Sequence, residues 1–218
     1  MEKSIENIWK EGFLKSDALI APKVNNLYNQ KSIHIIDKFT RMFKINLIAI
    51  VVFSFAFLLV SFFMGIPVMG FLFFLTLSVM VWVNKKLLDG LYKIDKGESS
   101  YQYLKAFSQW LSKQLAINKR MATFMYPTFF LSFILGYWFK DSDGMFLGER
   151  LVNETLEHFP DLYLVFGVPL VAMVAIILII GILAFFGGRI YKWDLNIIYG
   201  RVFKKLEELL ADLESLRA

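Results

Sequence analysis

Few residues in this sequence could carry out chemistry. The chain has no cysteine, which excludes a thiolate nucleophile, a disulfide and a cysteine-based metal site. His34 and His158 are its only imidazoles. Residues 141–144, Asp-Ser-Asp-Gly, resemble the start of a calcium-binding loop, but the third ligand of that pattern is missing, so a solvated acidic turn is the simpler interpretation. We therefore expect no enzymatic activity, no cofactor and no catalytic or metal-binding residue.

The chain that carries these residues is unusually apolar as a whole. Hydrophobic residues make up 57% of the 218-residue chain, against about 45–50% in a soluble domain. Four stretches contain no Asp, Glu, Lys or Arg and approach the ~20 residues that span a bilayer as a helix. They are residues 45–64, 66–83, 121–139 and 162–186. The sequence predicts four transmembrane helices and excludes an ordinary soluble enzyme.

The distribution of charge predicts how these helices are oriented. Of the 24 basic residues, only Lys140 and Arg150 lie in the acidic segment 140–161. Because basic residues concentrate on the cytoplasmic side of membrane proteins, we expect this segment outside and both termini in the cytoplasm of a bacterial inner membrane. The same bias explains the net charge of +5 without a nucleic-acid partner. The first 44 residues lack the pattern of a signal peptide, so we expect the first span to be retained.

Helical periodicity continues beyond the membrane on the cytoplasmic side. Segment 32–64 is predicted as one helix with Ser32 as its N-cap and the first span at its end. Segment 66–95 carries the second span and a cytoplasmic extension. Segment 100–139 carries a cytoplasmic helix followed by the third span, and Pro127 should either kink this helix or separate its cytoplasmic part from its membrane part. Segment 162–193 holds the fourth span and an interface anchor. The predicted fold is all-α, with four spans whose cytoplasmic ends form a water-exposed helical bundle.

The amino-terminal segment 1–31 is predicted as an amphipathic helix that ends at Ala21-Pro22 and is followed by a turn or broken helix near residues 25–29. It either folds back on the bundle or binds a cytoplasmic partner, since anchors at helical spacing fit helix-in-groove recognition. The candidate partner-binding residues are Trp9, Phe13, Leu27 and Tyr28.

The carboxyl-terminal segment 194–218 has an apolar heptad seam. This seam packs inside the subunit or drives self-association, and we expect a homo-oligomer. Its members are Leu195, Tyr199, Val202, Leu206, Leu209, Leu213 and Leu216. Small residues that allow close helix packing in the fourth span are Gly181, Ala184, Gly187 and Gly188. Aromatic residues expected to anchor the chain at the bilayer interfaces are Trp82, Tyr137, Trp138, Tyr191 and Trp193.

Polar groups within the four uncharged stretches are limited to hydroxyls, with Asn46 at the inner edge. The absence of ionisable groups there argues against proton-coupled transport. We expect the hydroxyls to hydrogen-bond within or between helices, although a pore assembled from several subunits is an alternative. Among these hydroxyl residues are Ser54, Ser61, Thr76, Ser78, Thr128 and Ser132.

Three segments carry a resemblance to known sequences: residues 8–12, 21–28 and 187–195. Through them the chain resembles a group of small, uncharacterised bacterial membrane proteins encoded beside extracytoplasmic-function sigma factors. The resemblance implies an anti-sigma-like role. The leading hypothesis is a non-enzymatic regulatory or scaffolding protein that holds a cytoplasmic partner such as a sigma factor; the alternative is a homo-oligomeric channel.

Overall fold

The computed structural model describes the backbone of residues 5–97 and 99–215 and the side chains of residues 30–97, 99–212 and 214. Its helices are α1 (Ile5–Phe63), α2 (Pro67–Leu91), α3 (Ser100–Trp138), α4 (Leu147–His158) and α5 (Leu170–Ser215). Two short antiparallel hairpins precede α4 and α5. They pair β1 (Asp141–Ser142) with β2 (Met145–Phe146), and β3 (Leu164–Val165) with β4 (Val168–Pro169). The predicted all-α class is confirmed.

Three described helical segments are long and apolar enough to cross a membrane: Gln30–Phe63, Pro67–Leu91 and Leu170–Asp212. Their apolar side chains point largely outward, as lipid-facing side chains do. Phe63, Val171 and Phe185, for example, are each at least 70% exposed. The chain therefore has the features of a multi-pass membrane protein.

A tight turn joins α1 to α2. Gly65 has a φ of +72°, a conformation that costs glycine little, and the Ile66 amide donates back to the Ser61 carbonyl at 2.9 Å. Pro67 then occupies the start of α2, where a missing amide hydrogen is tolerated. Gly70 packs directly against Ser61. The two helices are consequently antiparallel neighbours, as the short connection predicts.

Helix α3 returns alongside α2. The Ser99 side chain caps it by accepting from the Gln102 amide. The Trp110 indole donates to the Leu87 carbonyl at 2.9 Å. Near the other end, Gly136 lets α3 approach the Met69 backbone closely. The helix is continuous through Pro127.

Two predicted boundaries differ from the structure. Helix α1 is continuous from Ile5, whereas the sequence predicts a break after Ala21-Pro22 and Ser32 as an N-cap; Ser32 instead lies buried inside the helix. Helix α5 begins at Leu170, eight residues after the start of the uncharged stretch 162–186. The residues between form the second hairpin, whose turn residues Phe166 and Gly167 both have positive φ.

The hydrophobic core of the described residues lies in the half of the bundle rich in charged surface residues. Phe39 of α1 is 1% exposed and contacts Phe107 of α3 and Tyr199 of α5, with ring centroids 5.4 and 5.2 Å apart. Leu88 and Leu91 of α2 complete it. The Lys96 ammonium donates to the Asp37 carboxylate at 2.9 Å; this hydrogen bond raises the pKa of Lys96 and ties the α2–α3 loop to α1.

Candidate functional site

A cavity of about 300 Å³ lies where the uncharged stretches meet this core. Helices α1, α2, α3 and α5 all contribute to its wall. Ile50, Met80, Met125 and Phe129 line the part within the uncharged stretches. The polar wall residues lie at or beyond the ends of those stretches, with Tyr126 just inside: they are Asn46, Asn84, Gln114, Asn118, Tyr126, Tyr191, Asp194 and Tyr199. The part of the cavity within the uncharged stretches is thus largely apolar, whereas the opposite part combines these polar side chains with apolar ones such as Phe39 and Leu111.

Two amides on this wall satisfy each other. Asn84 of α2 and Asn118 of α3 exchange two side-chain hydrogen bonds, of 3.0 and 2.9 Å, and are 4% and 5% exposed. Asn84 also donates to the Met80 carbonyl of its own helix. Burying an amide without a hydrogen-bond partner costs free energy. Any shift of α2 along α3 would break this pair, so the pair fixes the register of the two helices.

Two other polar groups on the wall lack such partners. Gln114 is 3% exposed and its side chain makes no hydrogen bond to any described residue. The Tyr199 hydroxyl is also buried without a well-formed hydrogen bond, with the Asn46 amide as its polar neighbour. Leaving a buried polar group unpaired costs about 1–3 kcal/mol, so the Tyr199 hydroxyl marks the cavity as a place where a ligand or water would be stabilised.

The single acidic residue on the wall is engaged by a tyrosine. The Tyr126 hydroxyl donates to the Asp194 carboxylate at 2.9 Å, which links α3 to α5. Tyr191, predicted as an interface anchor, instead lines the cavity beside Asn118. Among the described residues, no lysine, arginine or histidine contributes to the cavity wall. The site therefore offers neutral donors and acceptors and no cation to bind an anion.

The heptad seam of α5 packs inside the chain over its described length. Leu195 borders the core, and the four following members are its buried contribution from α5: Tyr199, Val202, Leu206 and Leu209. The side chains of Leu213 and Leu216 lie outside the described residues. This placement favours the intramolecular alternative over self-association through the seam.

The small residues of α5 differ in how closely they pack against α3. A Cβ on Gly187 would lie 2.8 Å from the Ala122 carbonyl oxygen of α3, and one on Gly188 would meet the Lys119 side chain. Gly181 faces open space, with no described atom within 4 Å, and Ala184 is half-buried. Close packing against α3 is thus concentrated at Gly187 and Gly188.

Two of the predicted interface anchors have exposed side chains. Trp82 is 58% and Trp193 77% exposed, and the Lys86 ammonium lies 3.7 Å from the Trp82 ring centroid. Tyr137 and Trp138 are half-buried, and Trp138 packs against Gly148 of α4. The side chains of the proposed partner-binding residues lie outside the described part of the chain: Trp9, Phe13, Leu27 and Tyr28.

The acidic segment forms a structured turn. The Asp141 carboxylate accepts from the Gly144 amide at 3.1 Å, and Asp143 lies 3.3 Å from the Arg150 guanidinium. His158 contacts the Glu154 carbonyl of its own helix. Among the described residues, no group of three or more His, Asp or Glu side chains is placed to hold a metal ion.

Comparisons with known proteins place no further constraint on this site. No family model, curated protein or solved structure matches the chain. The resemblance to small bacterial membrane proteins stays a prediction.

Proposed function

We propose that the chain is a four-span inner-membrane protein with both termini in the cytoplasm, and that it acts as a non-enzymatic regulatory or scaffolding protein for a cytoplasmic partner. Support for the third predicted span, residues 121–139, comes from the register of α3 against α2. Asn118 pairs with Asn84 and Gly136 packs against Met69, so α3 accompanies α2 along the length of its uncharged stretch. If residues 66–83 cross the bilayer, residues 119–136 beside them cross it too.

The absence of cysteine makes this topology easy to test. We would introduce single cysteines at Ser112, in the predicted cytoplasmic part of α3, and at Ser142, in the acidic turn, and add a membrane-impermeant maleimide to intact spheroplasts. Four spans predict labelling at Ser142→Cys but labelling at Ser112→Cys only after lysis. Labelling of both cysteines on the same side would refute the span at residues 121–139.

The continuous helix α1 carries the functional proposal. Because an α-helix turns 100° per residue, an unbroken helix places positions 9, 13 and 27 within about 40° of one another around its axis. A break near Pro22 would have separated these positions. The unbroken helix joins an apolar stripe of the kind used in helix-in-groove recognition directly to the first span. A sigma factor is the partner that the sequence resemblance suggests.

Site-specific photocrosslinking tests this proposal in living cells. A photoreactive amino acid at Phe13 or Leu27 should give a crosslinked band with a second protein, to be identified by mass spectrometry. Matched controls at Glu11 and Ala18 lie on the opposite side of the helix and should give less than a fifth of that yield. Equal yields at all four positions, or crosslinks only between copies of this chain, would contradict the proposal.

The hydroxyls of the spans do not support the pore alternative. Five of them donate to carbonyls of their own helix at 2.6–2.8 Å: Ser54, Ser61, Thr76, Thr128 and Ser132. A hydroxyl already bonded to its own backbone gains little by facing a water-filled channel. An oligomer of this chain would need a surface other than the buried α5 seam, such as the outward face at Gly181.

A further inference from the structure

We propose that the cavity between α1, α2, α3 and α5 binds a neutral, single-chain amphiphile from the bilayer, with a hydroxyl-bearing head of the monoacylglycerol type. The inference rests on the proposed four-span topology, because that topology places the apolar end of the cavity inside the membrane. It does not depend on the partner protein.

The wall chemistry selects the head group. The Tyr199 hydroxyl is buried without a well-formed hydrogen bond, Gln114 on the same wall is 3% exposed, and both groups can donate and accept hydrogen bonds. A glycerol-type head supplies hydroxyls and a carbonyl oxygen that match both functions. A phosphate or carboxylate head would find no cation on the wall and would face the Asp194 carboxylate. Anionic lipids and fatty acids are therefore disfavoured.

The apolar residues of the wall are suited to contact the acyl chain of the ligand. Ile50, Met80, Met125 and Phe129 line the cavity on the membrane side of the amide level. Methionine side chains adapt to a flexible chain better than branched side chains do. The volume of about 300 Å³ lies at the lower end of ligand pockets, which range over roughly 300–1,000 Å³. It accommodates one head and the first part of one acyl chain, with the remainder among the bilayer lipids.

Photolabelling of the full-length protein in lipid nanodiscs tests the proposal. The probe is a monoacylglycerol that carries a diazirine and an alkyne on its acyl chain, and the comparison probe is the matching fatty acid at pH 8. We expect labelled peptides to map to Met80 and Met125 rather than to the outward Phe124, and at least tenfold less labelling of these sites by the fatty acid. Equal labelling by both probes, or labels confined to lipid-facing residues, would overturn the proposal.

Two pairs of variants locate the site. Gln114→Leu removes the unpaired amide, and Ser112→Leu makes a similar change on the exposed face of the same helix. Met125→Trp fills the apolar end, whereas Phe124→Trp enlarges a side chain that is 70% exposed. We expect the cavity variants to reduce labelling at least fivefold and the controls to keep it within twofold. Equal labelling within both pairs would refute the site.

Competition on the unmodified protein keeps the test decisive if a cavity variant fails to fold. Unlabelled monoacylglycerol should suppress labelling at Met125 and leave labelling at Phe124 unchanged. Free glycerol in large excess should not compete; if it does, the site binds a soluble polyol and the lipid assignment is wrong. The position of the labelled peptide tests lipid binding in the cavity, whereas crosslinks from α1 test binding of a partner protein. The two proposals can therefore fail independently of each other.

Discussion

The close contact between α3 and α5 at Gly187 predicts that a larger residue at this position destabilises the protein. In a Gly187→Ala variant the new Cβ would lie 2.8 Å from the Ala122 carbonyl oxygen and 3.0 Å from the Thr123 Cα. Both are backbone atoms, so no side-chain rotation relieves the contact and the two helices must separate. Overpacking of this kind costs about 1–3 kcal/mol. Replacing glycine by alanine also stabilises a helix by about 0.8–1.0 kcal/mol through its higher helix propensity, which offsets part of the overpacking cost.

Gly181→Ala isolates the packing cost. It lies in the same helix and gains the same propensity, but its Cβ meets no described atom within 4 Å. The Gly187 variant should therefore be about 1–3 kcal/mol less stable than the Gly181 variant, which is about a 5- to 150-fold difference in the unfolding equilibrium. Gly188→Ala should fall between them, since the flexible Lys119 side chain can move away.

Unfolding in mixed micelles by increasing fractions of sodium dodecyl sulfate, followed by circular dichroism, measures this difference. Because the variants are compared in the same micelle, the free energy of the unfolded state in detergent largely cancels from the difference. If Gly187→Ala proves as stable as Gly181→Ala, α5 does not pack on α3 as described, and the cavity between them loses one of its walls.

Three further predictions concern the polar pair, the loop contact and the seam. Asn84→Leu should destabilise the protein by about 1–3 kcal/mol by leaving Asn118 unpaired, and the double variant with Asn118→Leu should recover part of that loss in the same unfolding assay; no recovery would argue against the pair. Asp37→Asn should cost about 0–1 kcal/mol at pH 8, because the contact is exposed to solvent. Since the Lys96 pKa is raised above 10.5, the contact stabilises the fold below that pH, and the cost should vanish as pH rises through the raised value. A pH-independent cost would refute this assignment. Leu206→Ala should destabilise the protein by about 2–5 kcal/mol without changing its mass in light scattering; a change in subunit number would show that the seam joins separate chains.

Periodicity in the sequence predicts the helices well where one face is apolar and a cap is present. Serine is a common N-cap, as at Ser99, and Phe107 and Leu111 lie at helical spacing on the buried face of α3. The continuous α1 shows the limit of this reasoning, because Pro22 lowers helix propensity yet does not end the helix. Propensity is a weak local preference that the rest of the fold can override.

The start of α5 was missed for a different reason. Leu164, Val165 and Val168 are as apolar as the helix that follows, so hydropathy cannot separate hairpin from span. The turn needs positive φ at Phe166 and Gly167, and phenylalanine is not a residue whose presence predicts that conformation. Asp143-Gly144, in contrast, is a recognised turn sequence, and the predicted acidic turn is indeed a turn.

The cavity amides carried a signal that the sequence analysis did not use. Asn84 continues the buried stripe of Leu77 and Leu88 on α2, although its charged neighbours suggest a solvated helix end. The pairing of Asn84 with Asn118 sets an antiparallel register in which residue numbers on α2 and α3 sum to about 202. That register places Leu88 opposite Gln114. An amide opposite a leucine has no partner from α2, and this is why the unmatched polar group lies at the cavity.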